Sequence, residues 1–506
     1  MIFLLSVQDP VISNIFDIFS GKKHNHRIAR KRLEMLFNSL IFLAFFPMTA
    51  FIYYLLPSLR LRNLFLLFAS YYFYMNWNPR YAILIATATG VTYAGALLLE
   101  RVESLGKRKL ITGVCIVVIL AVLFVYKYLG FASHVMTDLL HSMGLAIQIP
   151  QYKLLLPVGI SFFTFQAIGY LVDVYRKTIP AERDFFTYAL FISFFPQLVA
   201  GPIERARNLL PQFRIFHLFS PQMAFEGIQM MLWGYFMKLC IAERVGQYVD
   251  AVFNNYSYHT GNSLALGAFF FAFQIYCDFC GYSLIACGVA RCLGFTLMNN
   301  FNHPYLAVSI QDFWRKWHIS LSTWFMDYIY IPLGGSRCTT LRHIFNLLIT
   351  FLVSGIWHGA NWTFIFWGLL HGTFVSFYIL YRKYLPPIKL WLPLRTILSI
   401  GLTFLTVALC WVFFRAGSIG VGFLILRKIL TERGQLYNGD GMPNQLLGCL
   451  CIMILMGVEI KRELKLNIHF IHSDNIYVCS LSTALLIAFI LLTAVFHGGQ
   501  FIYFQF

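Results

Sequence analysis

Residues 343–381 read HIFNLLITFLVSGIWHGANWTFIFWGLLHGTFVSFYILY, a run of 39 residues without Asp, Glu, Lys or Arg. About 20 predominantly apolar residues in a helix cross the hydrocarbon core of a bilayer. The run is therefore long enough for two passes, and the Gly- and Trp-containing segment 354–362 in its middle predicts a tightly packed turn or kink. This pattern indicates a pair of membrane helices.

The same pattern recurs along the chain. Hydrophobic residues make up 59% of the 506 positions and charged residues 12%, against about 25% charged residues in soluble domains. This balance excludes disordered, collagen-like and soluble nucleic-acid-binding classes, and we expect an all-α polytopic membrane protein with about 11 to 13 membrane helices. The other uncharged segments that predict these helices are 35–59, 63–79, 81–99, 110–126, 154–172, 185–203, 251–277, 396–414, 445–458 and the segment from 475 onward, with a poorer candidate at 225–237.

The charged residues are strongly unbalanced. Lys and Arg number 39 and Asp and Glu 21, which gives a net charge of +18. In a membrane protein this excess is expected on cytoplasmic loops, facing anionic lipid headgroups or an anionic cosubstrate, and nucleic acid is not expected as a partner. The best candidates for cytoplasmic loops are the basic segments 101–109, 382–389 and 461–465.

Most of the eleven cysteines lie in apolar segments, where we expect buried thiols. The single CxxC, at 277–280, lacks a well-spaced second pair of ligands, so no metal site is predicted.

Residues 1–34 differ from the rest of the chain, because six basic residues fall between positions 22 and 32. The basic run follows a weak apolar segment and has no small-residue cleavage site, so a secretory signal peptide is not indicated. We expect either a basic cytoplasmic extension or a translation start at Met35, with the transmembrane domain covering 35–506.

Polar residues concentrate in the segment 311–335, which begins QDFWRKWHISLSTW. It is too polar for a lipid-facing span and too aromatic for an ordinary loop, so it predicts a re-entrant or interfacial element lining a cavity. On a helix, Asp312 and Arg315 have the i,i+3 spacing of an ion pair. An interfacial helix with Trp anchors remains the alternative.

His358 lies within the uncharged run, between Trp357 and Gly359. A neutral imidazole can take a proton near neutral pH. His318 has a similar Trp-rich setting forty residues earlier, and we expect the two histidines to share one site. A structural role for a buried histidine remains the alternative, and Asn361 and His371 are placed to line the same cavity.

Asp278 is the third polar residue that lies within an apolar, membrane-like segment. It is expected either to hydrogen-bond Tyr or Trp residues across helices or to orient a catalytic histidine. No GxSxG elbow, P-loop, HExxH or dinucleotide fingerprint occurs, so a covalent serine route is unsupported.

Several ordered motifs give the chain a family resemblance. It resembles the membrane-bound O-acyltransferase (MBOAT) family, in particular the bacterial alginate O-acetyltransferase branch, and more distantly the D-alanyl transferases of teichoic acid. The resemblance runs from Met35 to the C-terminus and favours the later start. The motifs are MLFNS at 35–39, LPVGISFFTFQ at 156–166, FPQLVAGPI at 195–203, QIYCDFCGY at 274–282, the stretches around His318 and His358, WVFFRA at 411–416 and FIYFQF at 501–506.

The resemblance implies a funnel of helices around a tunnel, in which an acyl group passes from a cytoplasmic thioester, acetyl-CoA, to a hydroxyl on the other side. By matching motif, His358 is expected to be the catalytic base and His318 the second histidine. Basic side chains are expected to guide the anionic coenzyme A, and no bound cofactor is implied. The candidates for substrate or donor binding are Arg315, Lys316, Trp317, Asp278, Asn361 and Ser320.

The resemblance also implies a place and partners: the bacterial cytoplasmic (inner) membrane, an exported polysaccharide such as alginate as acceptor, and a periplasmic or membrane-tethered SGNH-type partner that finishes the transfer. Two alternatives stay open. One is D-alanyl transfer to teichoic acid from a carrier protein. The other is a polysaccharide exporter or transporter subunit, in which the polar cluster is a permeation path.

Overall fold

The computed structural model describes residues 35–150, 152, 154–199, 201–386, 391–439, 441–466 and 475–496. The expectations for the N-terminal segment 1–34, for the terminal FIYFQF motif and for the last part of the segment 382–389 lie outside these residues. Over the described ranges the regular structure is helical throughout, without strands.

The described residues form eighteen α-helices of seven residues or more, numbered in chain order. They are α1 Leu40–Leu55, α2 Leu59–Met75, α3 Ala82–Arg101, α4 Leu105–Leu123, α5 Leu129–Ser142, α6 Ile160–Tyr175, α7 Phe185–Ser193, α8 Pro221–Tyr235, α9 Glu243–Asn254, α10 Gly261–Cys292, α11 Ile310–Lys316, α12 Ile319–Phe325, α13 Thr340–His358, α14 Trp362–Tyr384, α15 Leu392–Arg415, α16 Ile419–Thr431, α17 Met442–Glu463 and α18 Ile476–Thr493. One-turn helices lie at Phe195–Leu198 and Ala206–Leu209, and short 3₁₀ segments lie at Pro79–Tyr81, Leu210–Arg214 and Pro304–Leu306.

Eight helical segments of the described chain are long and apolar enough to cross a membrane, and three more apolar helices are shorter. The eight are fewer than the 11 to 13 expected, and the three shorter apolar helices would bring the number to eleven. The all-α polytopic membrane class is confirmed. The pair of helices predicted from residues 343–381 is also confirmed, as α13 and α14 with a break at 359–361.

Two glycines let α13 and α14 approach closely. A Cβ on Gly355 would collide with the carbonyl oxygen of Phe364, and a Cβ on Gly368 would collide with that of Phe351. Membrane helices associate through such small residues because lipid offers no hydrophobic driving force between them. The close contact fixes the C-terminal end of α13, where His358 lies.

We expect Gly368→Ala to destabilise the protein by about 1–3 kcal/mol, because the added methyl group overpacks this contact. Gly457→Ala is the matched control, since Gly457 lies in α17 with open space beside it and a helical alanine there is neutral or stabilising. Unfolding followed by tryptophan fluorescence in a detergent titration measures both variants. Equal stability of the two variants would contradict the close contact.

Within the described residues, π-helical turns interrupt the helical segments at Phe124–Tyr128, Phe236–Ala242 and Met326–Tyr330. Such turns are frequent at functional sites, because they rotate the following side chains relative to a regular helix. The first turn joins α4 and α5 and carries Lys127, and the second joins α8 and α9 and carries Lys238. Both lysines bond to residues distant in sequence.

The basic turn at 101–109 and the basic C-terminus of α14 lie at one end of the helices. A series of hydrogen bonds connects them, from Arg108 to Tyr175 O, Arg176 to Asp327 O, Arg342 to Leu333 O and Lys383 to Thr340 Oγ1. His358 lies at the opposite end of α13 from Thr340, about 27 Å away along a helix of 19 residues.

Candidate active site

His358 is the last residue of α13. Gly359 follows in an extended conformation, and the side chain of Asn361 begins α14 by accepting a hydrogen bond from Thr363 N at 3.1 Å. The imidazole is buried, with its ring centroid 5.0 Å from that of Trp357 and 4.9 Å from that of Trp367. The break between the two helices therefore presents the histidine inside an aromatic cage rather than to lipid.

His318 lies between α11 and α12, in a left-handed backbone conformation with φ 42° and ψ 55°. Its side chain is completely buried, and burial lowers its pKa to about 3, so the ring is neutral at physiological pH. Within the described residues neither ring nitrogen has a hydrogen-bond partner. A strained backbone and a buried ring without partners are both typical of a functional site.

Trp357 lies between the two histidines. Its ring centroid is 6.1 Å from that of His318 and 5.0 Å from that of His358. Phe162 also contacts both His318 and Trp357, at centroid distances of 6.4 and 5.6 Å. The structure thus brings the two histidines into one aromatic region, although they are forty residues apart in sequence.

A cavity of about 40 Å³ opens beside His358 and Trp357. It has room for roughly three water molecules. Its polar lining includes two side chains that the sequence analysis did not single out, Lys127 and Ser161. The sequence offered one signal for Lys127, namely its position as a lone lysine directly after the uncharged segment 110–126.

Comparison with known proteins identifies the family. The sequence profile of the membrane-bound O-acyltransferase (MBOAT) family matches residues 176–414. The chain is 41% identical over 394 residues to the probable alginate O-acetylase AlgI of Azotobacter vinelandii. The alignment covers 77% of this chain and 77% of that protein. The chain belongs to the MBOAT family. It is therefore an acyltransferase and a multi-pass membrane protein, as the motifs predicted.

Two further relatives extend the comparison. The probable alginate O-acetylase AlgI of Pseudomonas aeruginosa is 39% identical, with 78% of this chain and 75% of that protein covered. The peptidoglycan O-acetyltransferase of Helicobacter pylori is 33% identical, with 79% of this chain and 80% of that protein covered. The resemblance to an O-acetylating branch of the MBOAT family is thus confirmed.

In this MBOAT chain, α11 and α12 have only seven residues each and are too short to span a bilayer. Lys316 reaches Glu463 at the end of α17, with Nζ 2.7 Å from Oε1, while His318 two residues later is fully buried. The segment therefore turns inside the helical domain and is not a lipid-facing span, and its re-entrant position in the membrane stays a prediction.

The charges of this segment pair differently from the expectation. Asp312 lies 3.9 Å from Lys316, whereas Arg315 is exposed and forms no salt bridge within the described residues. The expected pairing of Asp312 with Arg315 is wrong, because helix α11 turns the guanidinium away from the packed face. Trp317 is fully buried against Phe301 and Trp411, at ring-centroid distances of 5.1 Å each.

Ser320 supports the backbone turn at His318. Its hydroxyl donates to Asn300 Oδ1 at 2.6 Å and accepts from Ile203 N at 3.0 Å. Asn300 in turn donates to Ser283 Oγ at 3.1 Å, and its carbonyl accepts from Ile319 N at 2.8 Å. These bonds tie the turn to helix α10 and so hold the strained residue in place.

The remaining candidates occupy other parts of the domain. Asp278 forms a buried ion pair with Lys238, which also contacts Glu243. His371 accepts a hydrogen bond from Trp314 Nε1 at 3.3 Å and lies one ring beyond the cage of His358, 4.8 Å from Trp367. The described residues contain no cluster of His, Cys, Asp and Glu suited to a metal ion.

Proposed function

We propose that this enzyme takes an acetyl group from acetyl-CoA on the cytoplasmic side and passes it, at the site of His358 and His318, to a hydroxyl destined for an exported polysaccharide. The observation that carries the proposal is the pair of buried histidines on either side of Trp357, one of which, His358, lines a small cavity together with Lys127 and Ser161. The O-acetylating activities named for the relatives support the acetyl group and a polymeric acceptor.

Acyl transfer needs a base for the attacking hydroxyl, an acid for the leaving thiolate and donors for the oxyanion. A neutral His358 serves as base and then returns the proton to sulfur. His318 has both ring nitrogens free of partners within the described chain, and it holds the donor or acceptor oxygen. The surrounding aromatic rings exclude water and so suppress hydrolysis of the thioester.

The donor approaches from the end that carries the basic turns. Lys316 and Arg315 lie on α11, one turn outside the buried His318, and Lys461 and Arg462 end α17 beside them. Cations here attract the phosphates of coenzyme A. The positive excess on this side also favours a cytoplasmic orientation in the inner membrane.

The acceptor side is the end at which α13 terminates in His358. The names of the relatives point to alginate or peptidoglycan as the class of polymer. A separate periplasmic or membrane-tethered partner of the SGNH type completes the transfer to the polymer in this proposal.

The test is a donor comparison with purified protein in lipid nanodiscs. Labelled acetyl-CoA and a D-alanyl carrier-protein thioester are each supplied with alginate oligosaccharide, with and without a candidate partner. We expect label transfer from acetyl-CoA. Transfer from the carrier protein alone would support the D-alanyl alternative, and no transfer from either donor would contradict the proposal.

We expect Lys316→Gln to raise the KM for acetyl-CoA about 5- to 10-fold, with kcat nearly unchanged, because the lost cation contributes to donor binding and not to chemistry. Arg433→Gln is the control, because Arg433 is an exposed arginine between α16 and the start of α17, at the opposite end of α17 from Glu463. Steady-state kinetics at low and high salt measure both variants. An unchanged KM in Lys316→Gln would remove this residue from the donor path.

A further inference from the structure

Lys127 reaches the end of helix α13 from a distant part of the chain. Its Nζ donates to the carbonyl oxygens of Trp357 at 2.6 Å and His358 at 3.1 Å, and the neighbouring Tyr128 hydroxyl donates to Ile356 O at 2.9 Å. The π-helical turn Phe124–Tyr128 places these two consecutive side chains on three consecutive carbonyls. Those carbonyls have no partners within their own helix, because α13 ends at His358.

Capping of a helix end does not by itself explain a lysine here. A neutral side chain can donate to carbonyls, whereas an ammonium group in a membrane protein carries a high desolvation cost. The two most deeply buried lysines of the described residues are paired with carboxylates, Lys238 with Asp278 and Glu243, and Lys428 with Glu432. Lys127 has no carboxylate within ion-pair distance in the described chain. Its positive charge can therefore stabilise a negative group that binds beside it.

The cavity beside His358 has room for such a group next to Lys127. An ammonium has three protons. Two point to the carbonyls of Trp357 and His358, and the third is directed towards Ser161 Oγ, which is 3.5 Å away at the limit of a hydrogen bond. Lys127, Ser161 and His358 all line the cavity, so the third proton is available to an oxygen bound there.

The N-terminus of α6 faces the same cavity and adds to its positive potential. Gly159 adopts φ 72° at the helix start, and a Cβ there would collide with the carbonyl oxygen of Leu198. Glycine at this position therefore lets the segment 157–161 pass close to its neighbour and line the cavity with the first turn of a 16-residue helix. Helix N-termini favour negative charge.

We propose that Lys127 is a catalytic residue that donates a hydrogen bond to the acyl oxygen and stabilises the oxyanion formed beside His358. The inference rests on the proposed function. The acceptor hydroxyl oxygen attacks the thioester carbon while His358 takes its proton, and the carbonyl electron pair moves onto the acyl oxygen next to the ammonium. When the C–S bond breaks, that pair re-forms the carbonyl, and the imidazolium protonates the thiolate. Lys127 keeps its proton throughout.

Lys127→Met retains the length of the side chain and removes its charge and its protons. We expect kcat for acetyl transfer to fall about 10²- to 10³-fold, as when an oxyanion donor is removed, with little change in the KM for acetyl-CoA. Lys428→Met is the matched control, because Lys428 also donates to two backbone carbonyls, those of Tyr256 and Ser257, far from His358. It is expected to lose stability but not kcat.

A second measurement separates catalysis from helix capping. The dithioester analogue of acetyl-CoA replaces the acyl oxygen with sulfur, a poor hydrogen-bond acceptor. Wild type is expected to prefer the thioester, and in Lys127→Met the ratio of kcat/KM between the two donors is expected to fall by about tenfold or more. A residue that only caps α13 leaves that ratio unchanged.

The outcomes test the proposed function and the role of Lys127 separately. No acetyl transfer by wild type overturns the proposed function and this inference with it. An active wild type together with a fully active Lys127→Met, or with an unchanged donor ratio in that variant, overturns the role of Lys127 alone. If Lys127→Met fails to fold, Lys127→Arg measured on the same two donors decides, since the retained charge is expected to keep partial activity and an intermediate donor ratio.

Discussion

His358→Gln is expected to reduce acetyl transfer about 10²- to 10⁴-fold, the range associated with loss of a general base. The glutamine amide has a similar size and can still donate a hydrogen bond, but it cannot take the proton of the attacking hydroxyl. Because glutamine is close in size to the imidazole and can fill the same space beside Trp357 and Trp367, folding is expected to be retained. Initial rates of label transfer, normalised to folded protein, measure the effect.

His217→Gln is the control for this change. His217 is also a packed histidine, with Nε2 2.9 Å from Gln212 O and its ring 4.6 Å from that of Phe295, but it lies outside the site. We expect it to transfer acetyl at nearly the wild-type rate. A His358→Gln variant with wild-type turnover would eliminate His358 as the base.

Replacing His318 by glycine or by alanine separates its backbone role from that of its imidazole. Both variants are expected to lose about 100-fold or more in kcat/KM, since both lack the ring. Their stabilities differ for two opposing reasons. Alanine in the left-handed region costs about 1–2 kcal/mol, whereas glycine adopts this conformation without that cost. Glycine also raises the conformational entropy of the unfolded chain, which lowers stability by a smaller amount. We therefore expect His318→Gly to be the more stable variant by about 0.5–1 kcal/mol.

The comparison uses unfolding curves for stability and the transfer assay for activity. Retained activity in both variants would show that the ring of His318 is dispensable. An alanine variant more stable than the glycine variant would contradict the left-handed backbone at this residue.

The sequence was sufficient for the fold class and for the position of the two histidines. Runs without charge, such as residues 343–381, predict membrane helices because burial of charge in lipid is costly, and α13 and α14 confirm that interpretation. The expectation that His318 and His358 lie in one region holds, since both contact Trp357. Their chemical roles remain predictions.

Interactions between distant segments could not be read from the sequence. Lys127 bonds to carbonyls 230 and 231 residues away, and only the three-dimensional contact of the turn Phe124–Tyr128 with the end of α13 reveals this. Asp278 likewise pairs with a lysine 40 residues away. The pairing of Asp312 was wrong because spacing on a helix allows both Arg315 and Lys316 as partners, and packing selects Lys316.

The central claim is that an acetyl group enters at the basic end of the helices and is transferred at His358, near the opposite end. Proteoliposomes with alginate oligosaccharide and a candidate partner enclosed, and with labelled membrane-impermeant acetyl-CoA added only outside, test this claim most directly. The account predicts label on the enclosed oligosaccharide for wild type and none above background for His358→Gln. Equal labelling with both proteins, or labelling only when donor and acceptor are on the same side, would contradict it.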